Sequence, residues 1–202
     1  MTLRLHAFEP RSRANGPGTR AVLWLQGCDL ACPGCFNPAT HAVEGGRVRA
    51  VADLVAEIEA LGDGIEGISI TGGEPLQQPE SVLHLLATLR SRTRLSMLLL
   101  SGYTLEEIRS QPRGPDILAH LDVLIDGPFM ARRRLARGLR GSANQRIHLL
   151  TDRYDRADVE STPEAEIHID PAGNLTLSGV EPLRPRPKAS VLSLQRQLSR
   201  RT

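Results

Sequence analysis

All three cysteines of the chain fall in one short segment, which reads Cys28-Asp-Leu-Ala-Cys32-Pro-Gly-Cys35. Pro33 and Gly34 disfavour a helix, so we expect a loop in which three thiolates can converge on one centre. A [4Fe–4S] cluster normally takes four cysteine thiolates. A chain with three therefore leaves one iron open to a substrate or cofactor.

Two other uses of these thiols are open at this point. With His41 the cysteines could form a closed Cys3His zinc site. Alternatively, Cys28 and Cys35 could form a disulfide. An odd number of crowded cysteines is a poor disulfide framework, so a reducing compartment and a metal site fit better. The cysteines alone do not decide between a cluster and zinc.

Alternating strands and helices are predicted around the cysteine loop. An apolar run at residues 21–26 predicts a buried strand directly before it. A 3.6-residue apolar period predicts a helix at 51–61 that ends at Gly62, and Pro79 favours the start of a helix at 79–92. Thr104 and Glu107 form a capping box for another helix. Further strands are predicted at residues 65–71, 96–101, 121–126 and 147–150, with a hairpin that joins 167–169 to 175–177.

This order predicts an α/β fold with right-handed crossovers and a parallel sheet. Ligands of such sheets bind at the carboxyl ends of the strands. Cys28, Glu74, Ser101 and Asp126 all come at such ends. The sequence therefore predicts that these four side chains lie at one edge of the sheet.

The composition excludes several classes of protein. The formal net charge of the 202 residues is +2, which is too small to indicate a nucleic-acid partner. No apolar run approaches the roughly 20 residues of a membrane span, and the first 20 residues lack the apolar core of a secretory signal. We expect a cytoplasmic protein without a membrane or nucleic-acid partner.

A second motif, Thr71-Gly72-Gly73-Glu74-Pro75, follows the second predicted strand. By itself it is typical of a strand-to-helix turn. Together with the cysteine pattern, in this order, it resembles the radical S-adenosylmethionine (SAM) superfamily. The resemblance implies an open partial (βα) barrel, mostly of parallel strands, and a [4Fe–4S] cluster on the three cysteines. SAM would chelate the fourth iron, and its one-electron reduction would give methionine and a 5′-deoxyadenosyl radical.

The resemblance also implies residues for SAM. Gly72 and Gly73 would let the backbone approach the cofactor, and the Glu74 carboxylate would accept from the methionyl ammonium. Ser101 would line the other side of the cofactor with its neighbouring glycine. Asp126 would lie near the SAM-binding face, although Asp-Gly-Pro is also strong turn chemistry. The reducing electron would come from a donor such as flavodoxin or ferredoxin.

Further motifs resemble the activating enzymes of glycyl-radical proteins, in particular the anaerobic ribonucleotide reductase activases. They are the segments Asn15–Arg20, Gln26–Cys28, Cys32–Pro38, Ser101–Thr104, Val123–Phe129 and Gly141–Arg146. The implied activity is abstraction of hydrogen from a glycine Cα of a partner reductase, and the implied partner is a glycyl-radical protein. Asn144 and Gln145 match the motif but have no physical role at this point.

Two residues depart from the activase pattern. Asn15 stands where activases usually carry Asp, and Phe36 where they often carry His. Both departures fall at the mouth where the protein substrate would enter. An alternative function is therefore a radical SAM enzyme that modifies a peptide or small metabolite. An alternative of another class is a zinc-stabilised Cys3His binding module without catalysis.

We expect two regions along the chain. Residues 1–182 would form the radical SAM domain. Residues 183–202 open with a Pro/Arg segment and would form a basic, flexible C-terminal tail.

Overall fold

The computed structural model describes residues 1–169, 173 and 175–180. The strands of this part are β1 (Thr2–Ser12), β2 (Arg20–Leu25), β3 (Arg47–Ala50), β4 (Gly67–Gly72), β5 (Ser96–Leu100), β6 (Val123–Asp126), β7 (Arg134–Arg137), β8 (Arg140–Ser142), β9 (Arg146–Leu149), β10 (Ala165–Ile169) and β11 (Leu175–Gly179). Its α-helices are α1 (Val51–Glu59), α2 (Pro79–Arg92), α3 (Leu105–Ser110), α4 (Gly114–Leu118) and α5 (Arg156–Glu160).

A seven-stranded sheet in the order β3-β1-β2-β4-β5-β6-β9 organises the molecule. Strands β2, β4, β5 and β6 are parallel neighbours, as the alternating pattern predicts. The edges are antiparallel: β1 pairs with β2 and β3, and β6 pairs with β9. The predicted α/β class with an open sheet of parallel central strands is confirmed, and antiparallel strands extend that sheet on both sides.

The long first strand is an element that the sequence did not predict. In β1 the buried apolar side chains are Leu3 and Leu5, and most residues after them are exposed or half-buried. Two alternating apolar residues followed by a proline give too weak a period-2 signal to identify a strand. Pairing with β3 from Thr2 to Leu5 and with β2 from Leu5 to Ser12 stabilises β1 instead.

The main helices are close to their predicted bounds. Helix α2 begins at Pro79 and ends at Arg92 as predicted, while α1 ends two residues before the predicted Leu61. At the start of α3, the Thr104 side chain accepts from the Glu107 N–H and Glu107 accepts from the Thr104 N–H, which confirms the capping box.

The sheet has two different faces. Helices α1 to α4 bury one of them in the main apolar core, which takes Met97 and Leu99 from β5. The intervening Leu98 points to the other face and packs in a smaller cluster with Val159 of α5. Because alternate strand residues point to opposite sides, covering one face by helices leaves the other free to line a site.

The predicted hairpin near the C-terminus is also present. Strand β10 pairs antiparallel with β11, and Ile167 lies opposite Leu177. Gly173 is the one residue of the predicted 171–174 turn that the structure describes. The predicted tail at 183–202 lies outside the described residues. None of the described helices is long and apolar enough to cross a membrane.

Candidate functional site

The cysteine loop follows β2 and is fixed at its start by the segment after it. The Gly27 N–H donates to the Thr40 carbonyl (2.8 Å), and the Cys28 N–H donates to the His41 carbonyl (3.0 Å). Further on, the Cys35 N–H donates to the Cys32 carbonyl (3.0 Å) around the Pro33–Gly34 turn. The loop is non-helical, as its Pro-Gly pair predicts.

The three thiols are free and half-buried, and they line one cavity. Burial above all raises the pKa of the Cys28 thiol, and the nearby Glu74 carboxylate raises it further. The Asn37 N–H donates to the Cys35 sulfur (3.4 Å). A positively charged partner that displaces the proton would therefore stabilise the thiolate form of Cys28.

The three thiols are the donor set that a [4Fe–4S] cluster with one open iron would take. Such a cluster presents a separate iron to each thiolate, and all three cysteines line the same cavity. Across residues 1–169, 173 and 175–180, no group of three His, Cys, Asp or Glu side chains is arranged around a single metal ion.

The Gly72–Pro75 loop lies directly against the start of the cysteine loop. The Gly73 N–H donates to the Leu25 carbonyl (2.7 Å), and the Glu74 N–H donates to the Gly27 carbonyl (2.8 Å). Gly72 has a φ of 102°, which favours glycine. A Cβ on Gly73 would overlap the Gly27 carbonyl oxygen and lie 2.9 Å from its carbon. The two glycines thus allow the two motifs to touch through their backbones.

Glu74 is a buried carboxylate at the wall of this cavity, with 1% of its surface exposed. Its Oε1 accepts from the Leu76 N–H (2.9 Å) and the Ser101 hydroxyl (2.8 Å), and its Oε2 accepts from the Gly102 N–H (2.8 Å). Burial nevertheless raises the pKa of Glu74 to about 7, because desolvation outweighs these three donors. A carboxylate offers about four acceptor positions, so one remains for a ligand.

Ser101 connects the third and fourth parallel strands, β5 and β6, at this edge. It follows β5, and its N–H donates to the Ile125 carbonyl of β6 (2.9 Å). Its hydroxyl donates to Glu74 and accepts from the Tyr103 N–H (3.1 Å). Both Ser101 and Gly102 line the cavity with the cysteines, as the strand-end argument predicts.

Asp126 ends β6 as predicted, but its carboxylate serves another part of the molecule. Oδ2 accepts from the Leu105 N–H at the start of α3 (2.6 Å) and lies 3.0 Å from Nε2 of His148. Asp126 does not line the cavity, whereas Gly127 does. The structure thus brings together the other site residues predicted from the sequence and places the Asp126 carboxylate behind them.

Gln145 is a cavity residue whose role the sequence did not indicate. Its Oε1 accepts from the Gly141 (2.8 Å) and Ser142 (3.1 Å) N–H groups, and its Nε2 donates to the Gly127 carbonyl (3.0 Å). The adjacent Asn144 donates to the Pro128 carbonyl (2.7 Å). Motif similarity was the available signal for both, and their role is to fix the loop after β6 to the loop after β8.

Aromatic and aliphatic side chains that strand-end reasoning does not locate complete the wall. Phe36 and Phe129 pack edge to face with ring centres 5.2 Å apart. Asn15 also lines the cavity, where its amide donates to the hydroxyls of Ser12 (2.7 Å) and Ser178 (2.6 Å). The remaining apolar lining comes from Trp24, Leu30, Leu100, Leu139 and Val180.

Comparison with known proteins agrees with this site. Residues 14–148 match a family described as a 4Fe-4S single cluster domain. The chain is 32% identical over 157 residues to the anaerobic ribonucleoside-triphosphate reductase-activating protein of Vibrio cholerae, covering 74% of this chain and 99% of that one. It is 32% identical to the protein of the same name from phage T4, over 71% of this chain and 92% of that one. The solved structure of Escherichia coli QueE is 19% identical, with a TM-score of 0.44 over 52% of this chain and 54% of that chain.

The family match and the two activating-protein relatives confirm the predicted radical SAM enzyme with a [4Fe–4S] cluster and SAM as cofactors, and they favour it over the zinc-stabilised binding module. The match to the cluster domain contains the cysteine loop, the Gly72–Pro75 loop and the strands that carry them. The relatives align over almost their whole length. The chain therefore belongs to the family of anaerobic ribonucleoside-triphosphate reductase-activating proteins.

Proposed function

We propose that this enzyme installs a glycyl radical on an anaerobic ribonucleotide reductase. One observation carries the proposal: two separate motifs, the cysteine loop and the Gly72–Pro75 loop, are hydrogen-bonded together at the wall of one cavity. The names of the relatives point to the same target.

In this proposal Cys28, Cys32 and Cys35 hold the cluster, because they are the free thiols of the cavity and no fourth cysteine exists in the sequence. When bound, the reduced cluster supplies the electron that cleaves SAM to methionine and a 5′-deoxyadenosyl radical. The fixed backbone on either side of the loop keeps the thiols in place for loading. Loading itself would remove the proton from the Cys28 thiol, whose pKa is raised by burial.

SAM would bind against the Gly72–Pro75 loop. Glu74 would accept from the methionyl ammonium through its remaining acceptor position, and the positive charge would favour the ionised carboxylate. Gly72 and Gly73 leave room for the backbone to contact the cofactor. Ser101 holds the Glu74 carboxylate in orientation through its hydroxyl.

Asp126 would act as a positioning residue. Its carboxylate anchors the first turn of α3, and the neighbouring Gly127 N–H donates to the Tyr103 carbonyl (3.0 Å). These two bonds fix the segment from Ser101 to Leu105 against β6. Asp126 therefore supports the side of the cavity on which Ser101 and Gly102 lie.

The apolar lining would exclude water while hydrogen is abstracted. The polar groups of the cavity are surrounded by the side chains of Trp24, Leu30, Phe36, Phe129 and Leu139. A dry site prevents a reactive radical from being quenched by side reactions. The substrate would be a glycine-bearing loop of the reductase that enters at the rim, with flavodoxin or ferredoxin as electron donor in the cytoplasm.

The test is anaerobic reconstitution with iron and sulfide, followed by reduction in the presence of SAM. We expect one [4Fe–4S] cluster per chain, 5′-deoxyadenosine as product, and a glycyl-radical EPR doublet once the reductase of the same organism is added. Each of three single variants should fail to hold the cluster: Cys28→Ala, Cys32→Ala and Cys35→Ala. Formation of 5′-deoxyadenosine with no radical on the reductase would overturn the target and favour a peptide or small metabolite.

A further inference from the structure

The β10–β11 hairpin lies beyond the part of the chain that the family comparison matches. The match to the cluster domain ends at residue 148, whereas the hairpin covers Ala165–Ile169 and Leu175–Gly179. The Vibrio cholerae relative aligns over 99% of its own length but over 74% of this chain. The hairpin is thus part of what this chain has in addition to the matched domain.

The hairpin contacts the body of the protein through its polar side. Glu166 accepts from the Ser12 hydroxyl and from the Arg13 N–H (2.8 Å). The Ser178 hydroxyl accepts from Asn15 (2.6 Å), and His168 Nδ1 lies 4.0 Å from the Glu9 carboxylate of β1. These contacts fix the hairpin on the end of β1 and on the loop that carries Asn15.

The opposite side of the hairpin is apolar and exposed. Ile167 (51% exposed) lies opposite Leu177 (42%), and Ile169 (69%) lies opposite Leu175 (67%). Alternate residues of paired strands share one face, so these four side chains form one continuous patch, which we call the hairpin face. A hairpin that packs on its own core would turn this side inward. Here it is turned to solvent, an arrangement that marks interaction surfaces.

The hairpin face is continuous with the rim of the cavity. Gly179 and Val180, directly after Leu177 and Ser178, line the cavity together with the cysteines. The Arg134 side chain donates to the Val180 carbonyl (3.0 Å), and its guanidinium lies 5.8 Å from the centre of the Phe36 ring. A molecule that covers the hairpin face therefore also reaches the mouth of the cavity.

A basic segment borders the same rim. Arg132, Arg133, Arg134 and Arg137 are exposed in the turn before β7 and in β7 itself. Arg134 connects this segment to the end of the hairpin through Val180. An apolar patch beside exposed arginines fits a partner surface that combines aliphatic side chains with carboxylates.

We propose that the hairpin face and this basic segment dock the protein substrate, with the reductase presenting an apolar patch bordered by acidic residues. The inference rests on the proposed function, since it names the surface through which the reductase would approach. Continuity with the cavity favours a protein substrate over a lipid surface, because the docked molecule must also deliver a chain segment past Phe36 and Val180.

The test is a double variant, Ile169→Ser with Leu175→Ser, in the reconstituted full-length enzyme. Both side chains are exposed and neither lines the cavity, so cluster content and reductant-driven SAM cleavage without reductase should stay at wild-type levels. Binding to the reductase of the same organism, measured anaerobically by biolayer interferometry, should weaken by at least about tenfold. Val43→Ser with Val48→Ser, also exposed aliphatic positions (63% and 53%), is the matched control and should bind normally.

The charged part is tested by Arg133→Ser with Arg137→Ser, which should slow association and reduce its dependence on salt. Unchanged reductase affinity in the hairpin variant would overturn the proposal. The proposal would also be overturned if the hairpin variant kept its reductase affinity but lost a dimer that the wild-type protein forms. The same holds if the variant lost only the binding of the wild-type protein to vesicles of anionic phospholipid. Failure of the wild-type enzyme to form a glycyl radical on the reductase would refute the proposed function instead, whereas the docking proposal is judged by how the hairpin variants bind the reductase relative to wild type.

Discussion

The buried carboxylate of Glu74 should make the stability of the cluster-free protein depend on pH. In the folded chain, burial raises the pKa of Glu74 from 4.5 to about 7. The folded state therefore keeps a proton on this group over a pH range in which the unfolded state has lost it. The free energy of unfolding falls with rising pH wherever the folded state binds more protons than the unfolded state. It should therefore decrease as pH rises from 4.5 to about 7.

The size of the effect follows from the difference between the two pKa values. A raise from 4.5 to about 7 corresponds to about 3 kcal/mol of unfolding free energy lost across this interval. Glu74→Gln should remove this loss, because an amide does not titrate. The amide also cannot accept from all three donors, so the variant should lose about 1–3 kcal/mol at every pH.

The assay is urea denaturation of the cluster-free wild-type and Glu74→Gln proteins at a series of pH values from 4.5 to 8. The informative quantity is the difference between the two proteins in the slope of unfolding free energy against pH, since other groups titrate equally in both proteins. Glu107→Gln is the control: Glu107 is an exposed capping residue whose hydrogen bonds to Thr104 lower its pKa. Its variant should keep the wild-type slope above pH 5.

Parallel pH profiles for wild type and Glu74→Gln would refute the reasoning, because they would mean that Glu74 is ionised throughout. A second readout follows from the charge of the ligand. SAM carries an ammonium that favours the ionised carboxylate, so its affinity should rise with pH up to about 7 in the wild-type holoenzyme. The Glu74→Gln holoenzyme should lack this rise.

Three further changes test how the cavity is built. Gly73→Ala should prevent stable cluster loading, measured by iron content, because its Cβ would overlap the Gly27 carbonyl. Gly62→Ala is the control: its left-handed φ of 54° makes the substitution locally strained, but nothing lies within 4 Å, so the cluster should load normally. Gln145→Ala should lower the melting temperature and raise the KM for SAM, while iron content is kept, because three backbone groups of two cavity loops lose their partner. Arg20→Lys should lower the free energy of unfolding, measured in urea, by about 3 kcal/mol or more. A single ammonium cannot replace a fully buried guanidinium that donates to several carbonyls and hydroxyls. An unfolding midpoint equal to that of the wild type would contradict this.

The sequence alone determined the chemistry and the approximate position of the site. The spacing of Cys28, Cys32 and Cys35 is local, and so are the Gly72–Pro75 motif and the capping box of Thr104. Parallel crossovers place the ends of successive strands at one edge of a sheet, which is why the two motifs could be expected to meet. The start of helix α2 was predicted correctly because proline acts at a fixed position in a first turn.

The tertiary structure alone decided which side chains at that edge face the cavity. Asp126 was predicted there by strand position, yet its carboxylate accepts from the first turn of α3 and lies 3.0 Å from His148 Nε2, contacts between residues about 20 positions apart. No local sequence pattern around Gln145 predicts its hydrogen bonds to Gly127 and Gly141. Turn and strand patterns describe the path of the backbone, whereas the direction of a polar side chain depends on partners brought near by folding.

The C-terminal hairpin shows the same division. Alternating apolar residues predicted its strands, because period-2 patterns depend on neighbours along the chain. They could not determine that Glu166 and Ser178 would hold the polar side against β1, leaving Ile169 and Leu175 in solvent. Which face of a sheet is buried depends on what packs against it, and that is settled by contacts between distant residues.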